Sequence, residues 1–403
     1  MEICNKNICT ACKACLNICP RAAIDFKLDE LDNLYADINQ NLCIGCGLCK
    51  KVCPQINLVS LNNTEYCYAG WSLNDKTRKE SASGGIASEI YKEYAGNDNV
   101  FIGAEMIEAF ETILSSGRCI SDIERFKNSR YVYADPQYIY REIASLLKKD
   151  IKVVFIGTSC QVAALKSYIN SVGVSIEKLL LVDLVCHGVS SPVYLKNHIN
   201  NLQEKYNFYA DKCCFRDPEM YTYTFTFTLR NNGQVKYARR VHWDDMYQIG
   251  YHYGIIYRNN CYECIYAKKD RVGDITLADF SYVGAIKPCS YDNKNVSCIL
   301  CNTSKGKLLL DSLLEQGKIF LEERPIEEEW NYEKMLSHPT LMPKERRIFV
   351  TKYEKTKKFD KSMWEASWKI VFRNKVKNNR CVETIRKCIP RKIKRYIRCM
   401  LSN

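Results

Sequence analysis

The chain contains two copies of one cysteine pattern, and this repeat restricts its fold more than any other feature. Each copy has the spacing Cys-x2-Cys-x2-Cys-x3-Cys-Pro, and the second begins 34 residues after the first. The eight cysteines are Cys9, Cys12, Cys15, Cys19, Cys43, Cys46, Cys49 and Cys53. Between the copies, two short strand-like runs flank an Asp- and Asn-rich turn, which predicts a β-hairpin. Residues 1–60 are therefore expected to form one compact module with two-fold internal similarity.

This spacing suits cubane iron–sulfur clusters. Three closely spaced thiolates can wrap three corners of a cubane, and the proline ends the local winding so that the fourth cysteine points elsewhere. In chains with two such runs, the fourth cysteine of each run ligates the other cluster. We therefore predict two 4Fe-4S clusters. Cluster I takes Cys9, Cys12, Cys15 and Cys53, and cluster II takes Cys43, Cys46, Cys49 and Cys19.

Two other interpretations of the module, a zinc site and unrelated Cys-rich turns, carry less weight. Zinc ligands usually come as paired Cys-x2-Cys knuckles, and eight cysteines in this order disfavour unrelated turns. Cys4 lies outside the repeat, and no role is assigned to it. The module resembles the bacterial two-cluster 4Fe-4S ferredoxins over its whole length, and this resemblance implies one-electron transfer.

The total cysteine content indicates a reducing environment. The 403 residues include 23 Cys, an odd number, and no apolar run is long enough to span a bilayer. These features argue against secretion, and reduced thiols favour metal ligation over a disulfide framework. We expect a cytoplasmic protein of two or three domains.

Residues 61–349 are predicted to form a mixed α/β body. Residues 151–169 and 179–199 each have the pattern of a strand, a turn and a helix, which suggests a partly parallel sheet. Residues 221–241 alternate threonine with aromatic residues and turn at Asn231-Asn232-Gly233, which predicts an antiparallel hairpin. Residues 274–284 predict one more strand with an acidic end.

The expected fold class is therefore α+β or mixed α/β. A ferredoxin-like module precedes a larger α/β body with an antiparallel hairpin element, and a helical basic tail ends the chain. The predicted units are the ferredoxin domain at 1–60, the N-terminal part of the body at 61–150, its C-terminal part at 151–349, and the tail at 350–403.

Four further cysteines lie at or near predicted turns. Cys160 and Cys186 follow predicted strands, where open α/β sheets place their sites. Cys261 and Cys264 form a Cys-x2-Cys pair. By spacing alone, these four thiols either ligate a third 4Fe-4S cluster or are small buried side chains. The remaining body cysteines, expected to be structural, are Cys67, Cys119, Cys213, Cys214, Cys289, Cys298 and Cys301.

Six separated motifs support a family assignment. They are SASGGIASEI (81–90), KNSRYVYAD (127–135), GTSCQ (157–161), CHG (186–188), FRDP (215–218) and NCYECIYAKKDRVGDITLADF (260–280). Through them, residues 1 to about 350 resemble the beta subunits of coenzyme F420 hydrogenases and dehydrogenases, and their bacterial relatives with an N-terminal ferredoxin domain. The resemblance implies a flavin, normally FAD, beside an iron–sulfur cluster, and it favours the third cluster.

Residues that could contact this flavin lie in two motifs. Ser83, Gly84 and Gly85 precede a helical pattern and could offer backbone amides to a phosphate or the ring, unless they only cap the helix. Lys127, Ser129 and Arg130 could contact a flavin pyrophosphate, or could form a solvated basic face. His187 could donate a proton or be structural, so no catalytic residue is assigned.

The function expected is an iron–sulfur flavoprotein oxidoreductase with an unnamed substrate. Its partner would be a redox protein or a small-molecule electron donor or acceptor. The family usually has Gly, Pro, Gly and Trp where this chain has Asn128, Ser159, Ala278 and Ser281. The departures at Asn128, Ala278 and Ser281 motivate an alternative, in which a non-catalytic electron carrier or accessory protein has lost the flavin.

The net charge of +13 resides in the tail. Residues 350–403 hold 17 Lys+Arg and 4 Asp+Glu, and 17 − 4 = 13, so the rest of the chain is neutral. Apolar residues recur there at helical spacing, a pattern suited to the anionic inner face of a membrane. A packed helix with a solvated basic face is the alternative, and no specific nucleic acid is expected. The apolar residues are Trp364, Trp368, Phe372, Val382, Ile385, Ile389, Ile393 and Ile397.

Overall fold

The computed structural model of the protein describes residues 2–96 and 98–378. Its strands are β1 (Ile24–Leu28), β2 (Leu34–Ile38), β3 (Tyr66–Ser72), β4 (Val100–Met106), β5 (Thr112–Gly117), β6 (Val153–Thr158), β7 (Leu179–Leu184), β8 (Lys212–Cys214), β9 (Thr226–Asn231), β10 (Gln234–Arg240), β11 (Ile275–Asp279), β12 (Ser297–Cys301) and β13 (Ile319–Glu323). Its α-helices are α1 (Ala14–Ile18), α2 (Leu48–Lys51), α3 (Asp75–Glu80), α4 (Ile86–Tyr94), α5 (Ile123–Phe126), α6 (Ile139–Lys148), α7 (Ser159–Ser171), α8 (Pro192–Tyr206), α9 (Met246–His252), α10 (Ser304–Glu315), α11 (Glu327–Trp330), α12 (Lys344–Thr356) and α13 (Phe359–Asn378).

One mixed sheet organises the body, in the order β13-β3-β12-β11-β7-β6-β4-β5. The four neighbouring strands β4, β6, β7 and β11 are parallel, and the strands outside them pair antiparallel. The parallel strands are nearly continuous apolar runs because both of their faces are covered. Their carboxyl ends therefore meet at one edge of the sheet, as the sequence predicts for Cys160 and Cys186.

Local sequence explains most element boundaries. The hairpin of β1 and β2 forms as predicted, with Ile24 opposite Ile38. The Thr158 hydroxyl and the Gln161 side chain form a capping box at the start of α7. Ser191 accepts a hydrogen bond from the Val193 amide, and Pro192 occupies the first turn of α8. The mixed α/β fold with its ferredoxin-like module is confirmed.

The predicted hairpin at 221–241 forms, but its first strand is shorter than expected. β9 begins at Thr226, and residues 222–224 form a 3₁₀ turn instead. The Phe225 backbone is left-handed, with φ of 50°, and its ring lies 3.7 Å from the Arg216 guanidinium. The alternating sequence pattern therefore extends to residues before the strand, where Phe225 packs on an arginine nine residues earlier in the chain.

The ferredoxin module packs directly on the body through hydrogen bonds to backbone carbonyls. Tyr133 donates to the Ala11 carbonyl at 2.7 Å, and Asn17 donates to the Gln137 carbonyl at 2.8 Å. Apolar residues of both parts join one hydrophobic core. The module is thus fixed in position against α6 and α7.

The described part of the basic tail is a packed element. In α13, Phe359, Met363, Ile370 and Val371 are buried in a core shared with α8, α9 and α12. The apolar positions Val382, Ile385, Ile389, Ile393 and Ile397 lie outside the described residues. None of the described helices combines the length and the apolar composition that a bilayer crossing requires.

A buried histidine joins α13 to the body. His198 Nδ1 lies 2.7 Å from Asp360 Oδ1, and its Nε2 lies 3.0 Å from Asp245 Oδ2. Burial opposes the charged form, but the two carboxylates prevail and raise the pKa of His198 to about 10. The imidazolium therefore pairs with both carboxylates near neutral pH.

We predict that this interaction makes stability depend on pH. Its contribution is complete below pH 6.5, the ordinary pKa of histidine, and is lost as pH rises through about 10. The thermal midpoint of the chain should therefore fall over this range by more than that of His198→Gln. Parallel curves for the two proteins, measured anaerobically, would contradict the assignment.

Candidate iron–sulfur and redox site

The ferredoxin module forms two cavities that match the two predicted ligand sets. Cys9, Cys12, Cys15 and Cys53 line one of them. Cys19, Cys43, Cys46 and Cys49 line the other. The crossed assignment of the fourth cysteines thus agrees with this placement, although the ligand identities stay predictions.

The two cluster loops also share one backbone shape. Ala11 and Lys13 are left-handed, and Gly45 and Gly47 are left-handed at the equivalent positions 34 residues later. Such a conformation costs a non-glycine residue about 1–2 kcal/mol. In the first copy, the salt bridge of Lys13 to Asp135, at 2.6 Å, helps to hold the left-handed backbone conformation of Lys13.

The cavities differ in exposure. All four cluster I cysteines are buried, whereas Cys46 is exposed and Cys43 and Cys19 are half-buried. Burial raises the pKa of Cys12 to about 12. Because thiolate is the ligand, iron must displace such protons as a cluster assembles.

Cys4 lies beside cluster I, which its sequence position did not indicate. Its thiol lies next to those of Cys9 and Cys53, and the interaction with Cys4 lowers the pKa of Cys9 to about 6. Cys4 also lines the cluster I cavity. It lies five residues before the repeat, so no spacing rule includes it.

The four body cysteines lie together at the carboxyl edge of the parallel strands. Cys160 begins α7, Cys186 follows β7, and Cys261 and Cys264 come from the segment before β11. Burial, and then the charges of the three other thiols, raise the pKa of Cys186 well above its ordinary value. Three separated segments therefore bring these thiols within electrostatic reach of one another.

A buried ion pair positions these segments. Asp183 and Arg271 are 0% and 2% exposed, and Arg271 Nη2 lies 2.5 Å from Asp183 Oδ2. Ser159 donates to the same carboxylate at 2.8 Å and accepts from Arg271 at 2.9 Å. Gly273 is required here, because a Cβ would lie 2.9 Å from the Asp183 amide nitrogen. The serine at 159 thus makes hydrogen bonds that proline could not make.

Among the described residues, no group of three or more Cys, His, Asp or Glu side chains has an arrangement suited to one metal ion. A cubane presents its iron atoms at separate corners, so its thiolates stand farther apart than the ligands of a single ion. That the cysteine sets hold cubanes stays a prediction.

The residues predicted to contact a flavin have partners within the chain. Ser83 donates to the Val296 carbonyl, and the Gly84 amide donates to Ser297, both at 2.9 Å. A Cβ on Gly84 would overlap the Gly70 carbonyl oxygen, so close packing on β3 requires this glycine. Gly85, with φ of 90°, precedes α4.

The basic cluster at 127–130 is also engaged in part. Lys127 forms salt bridges with Glu80 at 2.9 Å and with Glu124 at 2.5 Å. Arg130 donates to the Ser129 and Arg125 carbonyls, at 3.5 and 3.3 Å, and its Nε is buried without a partner. Contact of Lys127, Ser129 and Arg130 with a flavin stays a prediction.

Arg216, which sequence reasoning did not select, connects four of the six motifs. Its guanidinium binds the Asp279 carboxylate through two bonds, of 3.0 and 2.5 Å, and donates to the Ala82 carbonyl. Its backbone exchanges hydrogen bonds with the Asn128 side chain. The FRDP motif was the available signal, but its long-range partners are visible only in the fold.

Polar and aromatic side chains gather around this arginine. Tyr131 stacks on Tyr251 at 4.6 Å, and His252 Nε2 is buried without a partner. Burial, then the charges of His242 and Arg216, lower the pKa of His252 to about 3. His187 Nε2 lies 3.4 Å from the Glu333 carboxylate, which raises the pKa of His187 against the effect of burial. The candidate redox site thus continues beyond Cys186.

Comparison with known proteins gives two family matches. Residues 150–328 match the family described as the C terminus of the coenzyme F420 hydrogenase/dehydrogenase beta subunit. Residues 8–56 match the family described as 4Fe-4S dicluster domain. No curated protein sequence matches. A chain in a xenon-derivatised F420-reducing NiFe hydrogenase complex from Methanosarcina barkeri is 17% identical, with a TM-score of 0.42, covering 75% of this chain and 91% of that one.

We predict that the Asp183 carboxylate is required to keep the site assembled. Asp183→Asn leaves the Arg271 cation buried without its counter-charge, which should cost about 3–5 kcal/mol. The matched control is Asp311→Asn, which removes a partly exposed pair with Lys307 and should cost at most about 1 kcal/mol. Thermal or urea unfolding under anaerobic conditions measures both, and equal effects would refute the role of Asp183.

Proposed function

Through residues 150–328 the chain belongs to the coenzyme F420 hydrogenase/dehydrogenase beta-subunit family, with a 4Fe-4S dicluster domain at 8–56, and on this premise we propose that it is an iron–sulfur flavoprotein oxidoreductase. Electrons would pass between the ferredoxin module and a flavin bound in the body. The flavin we propose is FAD.

The observation that carries this proposal is the placement of the four body thiols beside cluster I. Cys160, Cys186, Cys261 and Cys264 have the number and chemistry of ligands that a third 4Fe-4S cluster needs. Tyr266 is buried next to them, and its hydroxyl donates to the Pro54 carbonyl, directly after Cys53. The charges of both cysteine sets act on the Tyr266 hydroxyl. The third cluster would thus lie one side chain away from cluster I.

The different exposure of the two cysteine sets in the ferredoxin module supports an order for electron transfer. Cluster II is the more accessible site because Cys46 is exposed, and exposed apolar residues, Leu42 and Ile44, surround it. A partner protein could approach there, whereas cluster I is enclosed between the module and the body. We infer the order of cluster II, cluster I, third cluster and body site.

The body site supports hydride chemistry next to a one-electron path. When bound, a flavin exchanges a hydride with a substrate and single electrons with a cluster. Arg216 and Asp279 offer charge at the carboxyl edge of the sheet, and Tyr131 and Phe225 offer aromatic surface near them. His187 and Glu333 could hold a proton at the Nε2 atom, close to Cys186.

A specific observation supports the alternative, a non-catalytic carrier or accessory protein without flavin. Ser83, Gly84 and Lys127 already have partners within the chain, so fewer donors remain for a pyrophosphate than the sequence suggests. Flavin quantitation separates this alternative from the oxidoreductase.

We predict about twelve irons per chain, from three cubanes, and one releasable flavin when the protein is purified without oxygen. Cys160→Ser should lower the iron content by up to about four per chain and leave the two ferredoxin clusters in place. Cys301→Ser is the matched control, since this buried thiol lies on β12 and packs in a different part of the core from Cys160.

Each result has a distinct meaning. About eight irons in the unaltered chain, or no loss in Cys160→Ser, would eliminate the third cluster. A full set of irons without flavin would reject the oxidoreductase and retain the electron carrier.

We also propose that the C-terminal region docks on an anionic membrane surface. Trp364, Trp368, Phe372 and Val376 follow one another at four-residue intervals along α13, and they are 52%, 49%, 67% and 43% exposed. Residues 350–378 carry nine Lys+Arg against three Asp+Glu. Exposed indole rings beside cations suit the headgroup region of a bilayer.

Vesicle sedimentation tests the membrane proposal. The full chain should bind vesicles that contain phosphatidylglycerol, bind phosphatidylcholine vesicles weakly, and lose binding in high salt. Replacement of Trp364, Trp368 and Phe372 by Ser should reduce the bound fraction severalfold. A chain ending at Asn378 keeps the buried residues of α13, so its binding compared with that of the full chain measures the contribution of residues 379–403. Equal binding by the full chain and the triple variant would remove α13 from the proposal.

A further inference from the structure

Arg258 lies between the ferredoxin module and the body cysteines. It is 2% exposed and comes three residues before Cys261. Its Nη2 donates to the Cys9 carbonyl at 3.1 Å and to the Leu34 carbonyl at 2.6 Å. Its backbone amide donates to the Val189 carbonyl, three residues after Cys186. One side chain thus contacts the backbone of a cluster I ligand from within the body.

In the part of the chain that the structure describes, no carboxylate oxygen lies within 4.0 Å of Arg258. Its other contacts are to the neutral Asn260 side chain, at 3.2 Å, and to the Tyr133 ring, 5.4 Å from the ring centroid. Its Nη1 is buried without any hydrogen-bond partner among the described residues. A buried cation is costly unless a counter-charge is close, so this position suits a negative group that the described side chains do not supply as a carboxylate.

Arg258 contacts two predicted cluster ligands through the backbone. Its guanidinium donates to the Cys9 carbonyl at 3.1 Å, and its own carbonyl accepts from the Cys261 amide at 3.0 Å. A 4Fe-4S cluster with four thiolates is an anion, and it gains one more negative charge when it is reduced. The cation therefore lies where that charge develops.

We propose that Arg258 is a positioning residue that electrostatically stabilises the reduced state of cluster I and of the third cluster, and so sets their potentials relative to cluster II. The effect on cluster I rests on the dicluster domain alone, and the effect on the third cluster rests on the proposed function. Because cluster II lies on the exposed side of the module, it serves as an internal reference.

Redox titration monitored by electron paramagnetic resonance tests this proposal in the full chain. Arg258→Gln keeps hydrogen-bond donors but removes the charge, and it should shift the redox equilibrium of cluster I toward the oxidised state about tenfold, which is 59 mV for one electron. Arg258→Lys should restore most of the shift. The potential of cluster II should not change.

Arg346→Gln is the matched control for a purely structural role. Arg346 is also 2% exposed, donates to the Ile255 carbonyl and to Asn259, and has no carboxylate within 4.0 Å in the described residues. It lies against Tyr194 and Tyr262 and not against a cluster ligand. Its replacement should lower the thermal midpoint without moving any cluster potential.

The outcomes separate the inference from the proposed function. Unchanged potentials in Arg258→Gln with full iron content, or an equal shift of cluster I and cluster II, would overturn the inference. A shift of cluster I in Arg258→Lys as large as that in Arg258→Gln would also overturn it, because the lysine keeps the positive charge. About eight irons per chain with a shifted cluster I would instead reject the third cluster and keep the role of Arg258.

Discussion

The buried pair of Asp183 and Arg271 is the interaction on which the body site depends. It joins the end of β7, the start of α7 through Ser159, and the segment that leads into β11. Cys160, Cys186 and Cys264 lie in these three segments. A buried ion pair contributes little net stability but tolerates few alternative arrangements, because displacing one partner leaves the other charge buried. The pair therefore fixes the register of cysteines that are far apart in sequence.

The ferredoxin module depends on a different kind of contact. Body side chains reach its backbone carbonyls, as Tyr133 does at Ala11 and Arg258 does at Cys9 and Leu34. A contact to a backbone carbonyl depends on where the chain runs and does not depend on which side chain that residue carries. They keep the cysteine loops of cluster I at a fixed position against the body, which a one-electron path requires.

Local patterns predicted the elements that local contacts stabilise. The hairpin of β1 and β2, the capped start of α7 and the Ser191-Pro192 start of α8 follow from residues within a few positions of each other. The predicted hairpin at 221–241 also forms, but β9 begins only at Thr226, next to the contact of Phe225 with Arg216. Local patterns did not indicate Arg216, Arg258 and Cys4, whose partners lie in other segments.

The sequence by itself determined the chemistry of the chain. The doubled cysteine spacing predicts the number, order and crossed pairing of the ferredoxin ligands, because short loops allow few ways to wrap a cubane. Only the tertiary structure decided which other residues join that chemistry. Ser83 donates to Val296, the residue before β12, and Gly84 donates to Ser297 at the start of β12. Arg258 lies between two cysteine sets, and its buried Nη1 has no hydrogen-bond partner among the described residues. Spacing along a chain encodes local geometry, but burial and charge balance arise only when separated segments meet in the core.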